Sequence, residues 1–372
     1  MRRVMTIVGT RPELIKMSRV IARLDGLCEH TLVHTGQNHD YTLNKIFFDD
    51  LGIREPDHFL AVAGANSIST IANVLTACDE LFERNRPEAV LIYGDTNSGL
   101  AVLPAKRRKI PVFHMEAGNR CFDQRVPEEL NRKVIDHLSD VNMTLTEHAR
   151  RYLLAEGFPA DRLFKVGSHM PEVLAYYRDR IDRSAILSEL GLTAEAYFIV
   201  SAHREENVDD QSRLRRLLEA LNGLADRYDF PVVVSTHPRT RHRLSELDAG
   251  MISDKIRFLP AFGFSDYISL QKNAYCTISD SGTITEEASL LDFPAVTIRD
   301  AHERPEGMDA GVLVMSSLDL DRIDDAVRCA RAGVGGRSSG RVEDYDSPDT
   351  SAKVVRIVLS YIDYVNRVVW SR

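Results

Sequence analysis

VFHMEAGNRCFDQRVPEELNRKVIDH, from Val112 to His137, is the stretch on which the fold and the site depend. Its first residues are apolar, so they predict a short buried strand from Pro111 to Phe113, with Glu116 at the strand's end. Ligands of open α/β sheets bind outside the carboxyl ends of the strands, so this position predicts a chemical role for Glu116. A polar loop then leads to Pro127, which fits the first turn of a helix because its missing N–H would have no intrahelical partner there.

Two glutamates, Glu128 and Glu129, follow that proline and are predicted to lie at the N-terminus of the helix. Their plain interpretation is that they complement the helix dipole, which favours negative charge at this end. Carboxylates on both sides of a loop rich in Arg, Asn, Asp and Gln favour a substrate site instead.

Composition limits the possible classes of protein. A chain of 372 residues is too long for one typical core and predicts two domains. The formal net charge of −8 argues against nucleic-acid binding. Five widely spread cysteines are typical of a reducing cytosol. Apolar runs are too short for a signal peptide or a membrane span, so we expect a soluble cytoplasmic protein that does not bind membranes.

Strands and helices alternate on both sides of the opening stretch, and this alternation predicts mainly parallel sheets with helices on both faces. The turn after the first strand carries Arg11, and the helix that follows carries Lys16; together they predict an anion site, although such turns also occur for packing alone. Asp95 follows the strand Ala89–Tyr93 and is expected beside Glu116. Its plain role is to cap the helix from Thr96, and both roles can hold together.

The pattern restarts near Gly167, where we place a domain boundary. In the second half, His203 follows a strand, although a histidine in such a turn is more often a hydrogen-bonding loop residue. Tyr267 belongs to an aromatic cluster that suits stacking on a planar base if it is exposed. Ser281-Gly282 lies between a strand and a helix and predicts a phosphate cradle built from backbone N–H groups. The glycine-rich run 333–340 follows a helix, so it fails the context of a dinucleotide loop.

Eight motifs in order resemble the non-hydrolysing UDP-N-acetylglucosamine 2-epimerase family: GTRPELIK, HTGQN, YGDTNS, HMEAGNR, PEELNR, SAHREEN, SDSGTITEEA and RDAHERPE. The resemblance implies a GT-B-like α/β fold, with two Rossmann-like domains, mainly parallel sheets and a ligand cleft between them. The expected domains are 1–167, on which a C-terminal helix at 350–372 packs back, and 168–349, which binds UDP. The resemblance also implies a homodimer.

Residue roles follow from the same resemblance. It implies catalytic roles for Asp95, Glu116 and Glu128 as acid–base groups, and for His203 beside the departing UDP. It implies that UDP and the sugar are bound by Arg11, Lys16, Arg204, Tyr267, Ser281, Gly282, Glu287 (as ribose ligand) and Arg304. Which carboxylate removes the proton stays open.

The loop Asn119–Val126 is shorter than the usual tryptophan-containing form of the family. With STHPRTR and FGFSDY, it resembles the branch that converts UDP-2-acetamido-2,6-dideoxy-L-talose to UDP-N-acetyl-L-fucosamine for surface polysaccharide synthesis. We therefore expect that sugar as substrate, with UDP-N-acetylglucosamine as the alternative. A GT-B glycosyltransferase and a non-catalytic nucleotide-sugar binder are the alternatives from other classes.

The expected mechanism needs neither cofactor nor metal. No carbonyl acidifies the C2 hydrogen of such a sugar, and no strand-anchored GxGxxG is present for a nicotinamide that would create one. Elimination of UDP across C1–C2 to a 2-acetamidoglycal, followed by re-addition, needs only a base, an acid and groups that hold the diphosphate. The His and Glu residues also lack a recognisable metal spacing such as HExxH.

Overall fold

The computed structural model describes residues 1–37, 51–202, 204, 207, 210–236, 240, 243, 252–299, 301, 303–333 and 340–372. These residues form two compact units, 1–175 with 344–372 and 176–343. The expected divisions at 167/168 and 349/350 lie within eight residues of those observed. In the part of the chain that the structure describes, no helix is long and apolar enough to cross a membrane.

The first unit contains a seven-stranded parallel sheet in the order β3-β2-β1-β4-β5-β6-β7. Its strands are β1 (Arg3–Val8), β2 (Glu29–His34), β3 (His58–Phe59), β4 (Ala89–Tyr93), β5 (Val112–Met115), β6 (Val141–Thr144) and β7 (Leu163–Lys165). The central strands β4, β5 and β6 are buried along their whole length, as expected for a sheet that helices cover on both faces. The strand predicted from Pro111 to Phe113 runs on to Met115, so Glu116 follows it directly.

Among the described residues, the helices that follow these strands are α1 (Arg11–Leu27), α2 (Ser67–Asn85), α3 (Val102–Arg107), α4 (Pro127–Leu138), α5 (Glu147–Ala155) and α6 (Met170–Asp182). Pro12 lies in the first turn of α1, and Glu13 completes a capping box with Thr10. Helices α2, α3 and α4 contribute to one face of the core, whereas α1 contributes to the other.

The second unit repeats the pattern with a six-stranded parallel sheet in the order β10-β9-β8-β11-β12-β13. Its strands are β8 (Phe198–Ser201), β9 (Val232–Thr236), β10 (Ile256–Pro260), β11 (Cys276–Ser279), β12 (Ala295–Thr297) and β13 (Val314–Met315). Its helices are α7 (Ile186–Glu189), α8 (Gln211–Tyr228), α9 (Phe264–Asn273), α10 (Ile284–Leu291), α11 (Pro305–Asp309) and α12 (Leu320–Arg331).

The predicted last helix is confirmed as α13 (Thr350–Trp370). Its apolar face, which includes Val354, Val358 and Ile362, is buried in the first unit's core together with residues of α1. The chain therefore returns to the unit in which it began. Two expectations lie outside the described residues: a helix near Tyr41 to Leu51, described only at Leu51, and most of the glycine-rich run at 333–340.

Candidate active site

The two strands that precede Asp95 and Glu116 are neighbours, as predicted. In the β4–β5 pair Tyr93 lies opposite Met115, and the N–H of Gly94 donates to the carbonyl of Met115. Both carboxylates therefore follow adjacent strands at the carboxyl edge of the first sheet, where α/β folds bind their ligands.

Glu116 is held by donors from two other elements. Lys16 Nζ lies 2.8 Å from Glu116 Oε2, and the hydroxyl of Tyr93 donates to the same oxygen. Asn119 Nδ2 lies 3.4 Å from the other oxygen, Oε1. Lys16 is only 4% exposed, so α1 brings a buried cation against this carboxylate. Arg11, the other cation expected near the anion site, lies half-buried at the first position of α1.

Asp95 does not cap a helix, which corrects one of the two roles considered for it. The following 3-10 helix runs from Asn97 to Ala101 and has Thr96 as its N-cap. Asp95 Oδ2 instead accepts a 2.8 Å hydrogen bond from Arg132 Nε, and that guanidinium is 3% exposed. Arg132 on α4 thus holds the charge of Asp95 in place.

The two glutamates at the start of α4 have different roles. Glu129 is fully buried and accepts hydrogen bonds from the backbone N–H groups of Cys121 (3.0 Å) and Phe122 (3.2 Å) and from Arg132 (3.0 Å). It therefore fixes the loop after Glu116, rather than only complementing the helix dipole. Glu128 is half-buried and makes no hydrogen bond or ion pair to the residues that the structure describes. Of the two, Glu128 is the more exposed.

Glu13 is a buried carboxylate that the sequence analysis did not select. It accepts hydrogen bonds from the N–H of Gly9 (2.5 Å) and Thr10 (3.1 Å) and from the hydroxyl of Thr96 (2.7 Å). It joins the first turn of the chain to the loop of Asp95. Burial raises the pKa of Glu13 from 4.5 to about 7, although these hydrogen bonds act in the opposite direction.

A buried network lies behind Glu116. His114 Nδ1 is 2.8 Å from Asp136 Oδ1, and its Nε2 is 2.8 Å from the carbonyl of Gly94. Asp136 also accepts from Arg120 at 2.7 Å, and Arg120 forms a two-pronged pair with Glu156. Burial opposes ionisation of Asp136, but the hydrogen bonds from His114 and Arg120 outweigh it and keep the pKa of Asp136 below its ordinary value. This network anchors both ends of the short strand-to-loop turn.

In the second unit, the turn at Ser281-Gly282 lies between β11 and α10, as predicted. Asp280 precedes it and accepts a 3.0 Å hydrogen bond from the N–H of Arg204, whose Nε donates to the Asp280 carbonyl at 3.0 Å. Asn207 Nδ2 also donates to Asp280, at 3.0 Å. The structure thus brings Arg204 against the predicted cradle.

Two buried ion pairs flank this turn. Arg299 lies 2.8 Å from Glu303, and a Cβ at Gly282 would come within 2.4 Å of Glu303 Oε1. Arg304, 2% exposed, pairs with Glu286 of α10 at 3.2 Å. A side chain at Gly282 would therefore displace the Glu303 carboxylate, and two guanidinium groups lie beside the N-terminus of α10, an end that favours anions.

Helix α9 carries Tyr267 and also Gln271, the residue that contacts Glu287. Gln271 Nε2 donates to Glu287 Oε2 at 2.7 Å. Tyr267 lies four residues before Gln271, so both occupy one face of α9, and Tyr267 packs partly buried against a small apolar cluster. His203 lies outside the described residues.

Several groups around these candidates are not among the predicted site residues. They are Glu13, Tyr93, Arg132, Gln271, Arg299 and Glu303. Most of them lie inside the motifs that carry the resemblance. Their position within a motif was therefore the sequence signal that could have identified them as site residues. In the described ranges, no group of three His, Cys, Asp or Glu residues is arranged to hold a metal ion.

Comparison with known proteins gives consistent matches along the chain. Residues 23–359 match the family model described as UDP-N-acetylglucosamine 2-epimerase. The chain is similar to the structure of UDP-N-acetylglucosamine 2-epimerase from Rickettsia bellii, with 57% identity, all of both chains covered and a TM-score of 0.94. It is also similar to the UDP-GlcNAc 2-epimerase of Methanocaldococcus jannaschii in complex with UDP-GlcNAc and UDP, with 30% identity, 96% of this chain and 99% of that one covered, and a TM-score of 0.88.

A further relative is the UDP-2,3-diacetamido-2,3-dideoxy-D-glucuronate 2-epimerase of Pseudomonas aeruginosa, 33% identical over 92% of this chain and 99% of that protein. Together with the two parallel sheets, the matches to solved structures confirm the GT-B-like α/β class.

Proposed function

Because this chain belongs to the UDP-N-acetylglucosamine 2-epimerase family, we propose that it interconverts UDP-N-acetylglucosamine and UDP-N-acetylmannosamine. Family membership makes the chain an isomerase that epimerises C2 of a UDP-acetamido sugar. The proposal concerns the particular sugar and the residues that act on it.

Similarity supports UDP-N-acetylglucosamine over the 6-deoxy-L-sugar expected from the loop Asn119–Val126. The Rickettsia bellii protein, whose whole chain is matched here, is a UDP-N-acetylglucosamine 2-epimerase. The Pseudomonas aeruginosa relative, a 2-epimerase for a different UDP-acetamido sugar, is more distant at 33% identity. UDP-2-acetamido-2,6-dideoxy-L-talose remains the competing substrate that an experiment must include.

The observation that carries the proposal is the set of carboxylates at the carboxyl edge of the first sheet. Glu116 is paired with Lys16 and Asp95 with Arg132, and Glu128 lies in the first turn of the helix that follows the loop after Glu116. Proton transfer at an unactivated C2 needs a base and an acid placed in this way, whereas a simple nucleotide binder needs neither.

The reaction proposed for this site is an elimination followed by an addition. A carboxylate takes the C2 proton, the electron pair of the C2–H bond forms the C1=C2 double bond, and the C1–O bond breaks with UDP leaving. An acid then protonates C2 of the 2-acetamidoglycal on the opposite face while a UDP oxygen re-forms the bond to C1. Negative charge builds on the diphosphate as UDP departs and is consumed as UDP adds back, so fixed N–H groups and cations that hold the departed UDP lower the barrier to elimination.

We assign the UDP-binding part to the second unit. Ser281 and Gly282 offer backbone N–H groups at the start of α10, and the nearby guanidinium groups of Arg204, Arg299 and Arg304 balance the charge of a diphosphate. Glu287, held by Gln271, is the proposed ribose ligand. Tyr267 is the proposed stacking partner of the base, and His203 is proposed to act beside the departing UDP.

The test is incubation in D2O with each UDP-acetamido sugar, read by NMR for the epimer and for deuterium at C2. We expect UDP-N-acetylglucosamine to be epimerised with deuterium incorporation, and its kcat/KM to exceed that of the 6-deoxy-L-talose sugar at least ~100-fold, because ring geometry that displaces C2–H from its base by about an ångström costs that much. Glu116→Gln is the matched control and should lose exchange while it retains UDP binding.

Other outcomes distinguish the alternatives. A higher kcat/KM for the L-sugar would reject UDP-N-acetylglucosamine in favour of the L-fucosamine branch. UDP binding without C2 deuterium from any of the sugars would indicate a non-catalytic binder. Transfer of the sugar to an added acceptor would indicate a glycosyltransferase.

A further inference from the structure

Glu116 has an unusual backbone and an unusual set of donors. Its φ is +64°, in the left-handed region that a residue with a side chain rarely adopts. Such a conformation is strained and persists only where the surroundings hold it. The strained backbone thus lies at the residue that directly follows β5.

The carboxylate is held from two directions. Lys16 reaches it from α1, and the Tyr93 hydroxyl reaches the same oxygen from the end of β4. The Tyr93 ring is itself fixed, because Lys16 Nζ lies 5.6 Å from its centroid and His169 packs edge-on at 5.4 Å. The titratable groups in contact with Glu116 or with its donor Tyr93 thus include Lys16 on α1, Tyr93 on β4 and His169 ahead of α6.

We propose that Tyr93 is a positioning residue for the epimerisation: with Lys16, its hydroxyl orients Glu116 and keeps it a carboxylate ready to take the C2 proton. This rests on the proposed function. The donors favour a role as base, because an ammonium and a hydroxyl that both donate to one oxygen stabilise the ionised form. Glu116 is then the base for one of the two epimers, and the proton returns to the opposite face of C2 from another group; the two groups exchange roles in the reverse direction.

Tyr93→Phe isolates the hydroxyl, because the ring and its contacts with Lys16 and His169 are retained. We expect kcat to fall by ~10- to 100-fold through misorientation of the base, with KM within about threefold of wild type. We also expect the acidic limb of the kcat/KM profile to move up by about one pH unit, since a hydrogen bond to the charged form has been removed.

Tyr197→Phe is the matched control. Its hydroxyl is also buried and donates to the carbonyl of Leu270 at 2.5 Å, within the second unit. It should lower thermal stability without moving the acidic limb. If Tyr93→Phe likewise lowers only stability, with kcat and the limb unchanged, Tyr93 is a packing residue and the proposal is overturned.

A measurement that needs no turnover separates this proposal from the proposed function. In protein labelled with ¹³C at glutamate side-chain carboxyls, the Glu116 signal is assigned by its loss in Glu116→Gln. A titration midpoint about one pH unit higher in Tyr93→Phe supports the role of Tyr93 even if wild type acts on neither sugar. An unchanged midpoint rejects it, whatever the enzyme turns over.

Discussion

At the scale of single residues, the described site is built from carboxylates whose surroundings differ. Glu116 and Asp95 each pair with a buried cation. Glu129 accepts hydrogen bonds from backbone N–H groups of the loop, and Glu13 is buried among neutral donors. Sequence alone presents four acidic residues after or near strand ends. Their partners decide which are available for chemistry and which hold the backbone.

Glu13 gives a pH-dependent prediction for stability. Its pKa of about 7 lies above the ordinary 4.5, so between these values the folded chain binds more protons than the unfolded chain. The free energy of unfolding therefore falls as pH rises through this window, by about 3 kcal/mol in total at 1.36 kcal/mol per pKa unit. Glu13→Gln removes this dependence, because its amide is neutral and the Thr96 hydroxyl can turn to accept from it.

The measurement is urea unfolding of wild type and Glu13→Gln at pH 5 and pH 8. The variant should gain stability relative to wild type as pH rises. Glu80→Gln, an exposed change on α2, is the control and should show no such gain. A relative stability of Glu13→Gln that is the same at both pH values would contradict the prediction.

At the scale of elements, glycines mark where helices approach other groups. Gly223 lies within α8, and a Cβ there would come within 2.2 Å of Leu320 Cδ2 at the start of α12. Gly26 lies near the end of α1, where a Cβ would meet nothing within 4 Å. The same substitution is therefore expected to have opposite effects in the two helices.

Gly223→Ala should destabilise the chain by about 1–3 kcal/mol, because overpacking displaces Leu320 and outweighs the gain in helix propensity. Gly26→Ala should be neutral or stabilising by up to about 1 kcal/mol. Thermal unfolding of both variants beside wild type gives the comparison. Equal stabilisation by both changes would show that α12 moves away from α8 without cost.

Elements were more predictable than side-chain partners, for a physical reason. Apolar runs and turn residues act locally, so the strand ends at Asp95, Glu116 and Ser281 were found where expected. Two of the donors that hold Glu116, Tyr93 and Lys16, are 23 and 100 positions away, and no local pattern records which side chains meet after folding. The choice of sugar from the loop Asn119–Val126 stays a prediction, since a resemblance in one loop does not specify substrate contacts.

At the scale of the whole molecule, the first unit is built from two separate parts of the sequence, because residues 344–372 complete the unit that begins at residue 1. The contact is apolar and extensive, because α13 buries Val354, Val355, Val358, Ile362 and Val365 in the core cluster shared with β1 and α1. The stability of the first sheet therefore depends on the last residues of the sequence.

Ile362→Ala tests this dependence. Ile362 is fully buried, and truncating such a side chain costs about 2–5 kcal/mol. Since the missing methyl groups face the first unit's core, hydrogen exchange should accelerate in β1 and β4, more than 250 residues earlier in the sequence, and much less in β8 and β11.

Val368→Ala, on the same helix but 50% exposed, should leave exchange unchanged. Hydrogen–deuterium exchange read by mass spectrometry resolves these segments. Equal acceleration in both sheets would mean that the chain opens as one cooperative body, and acceleration in the second sheet alone would contradict the assignment of α13 to the first core.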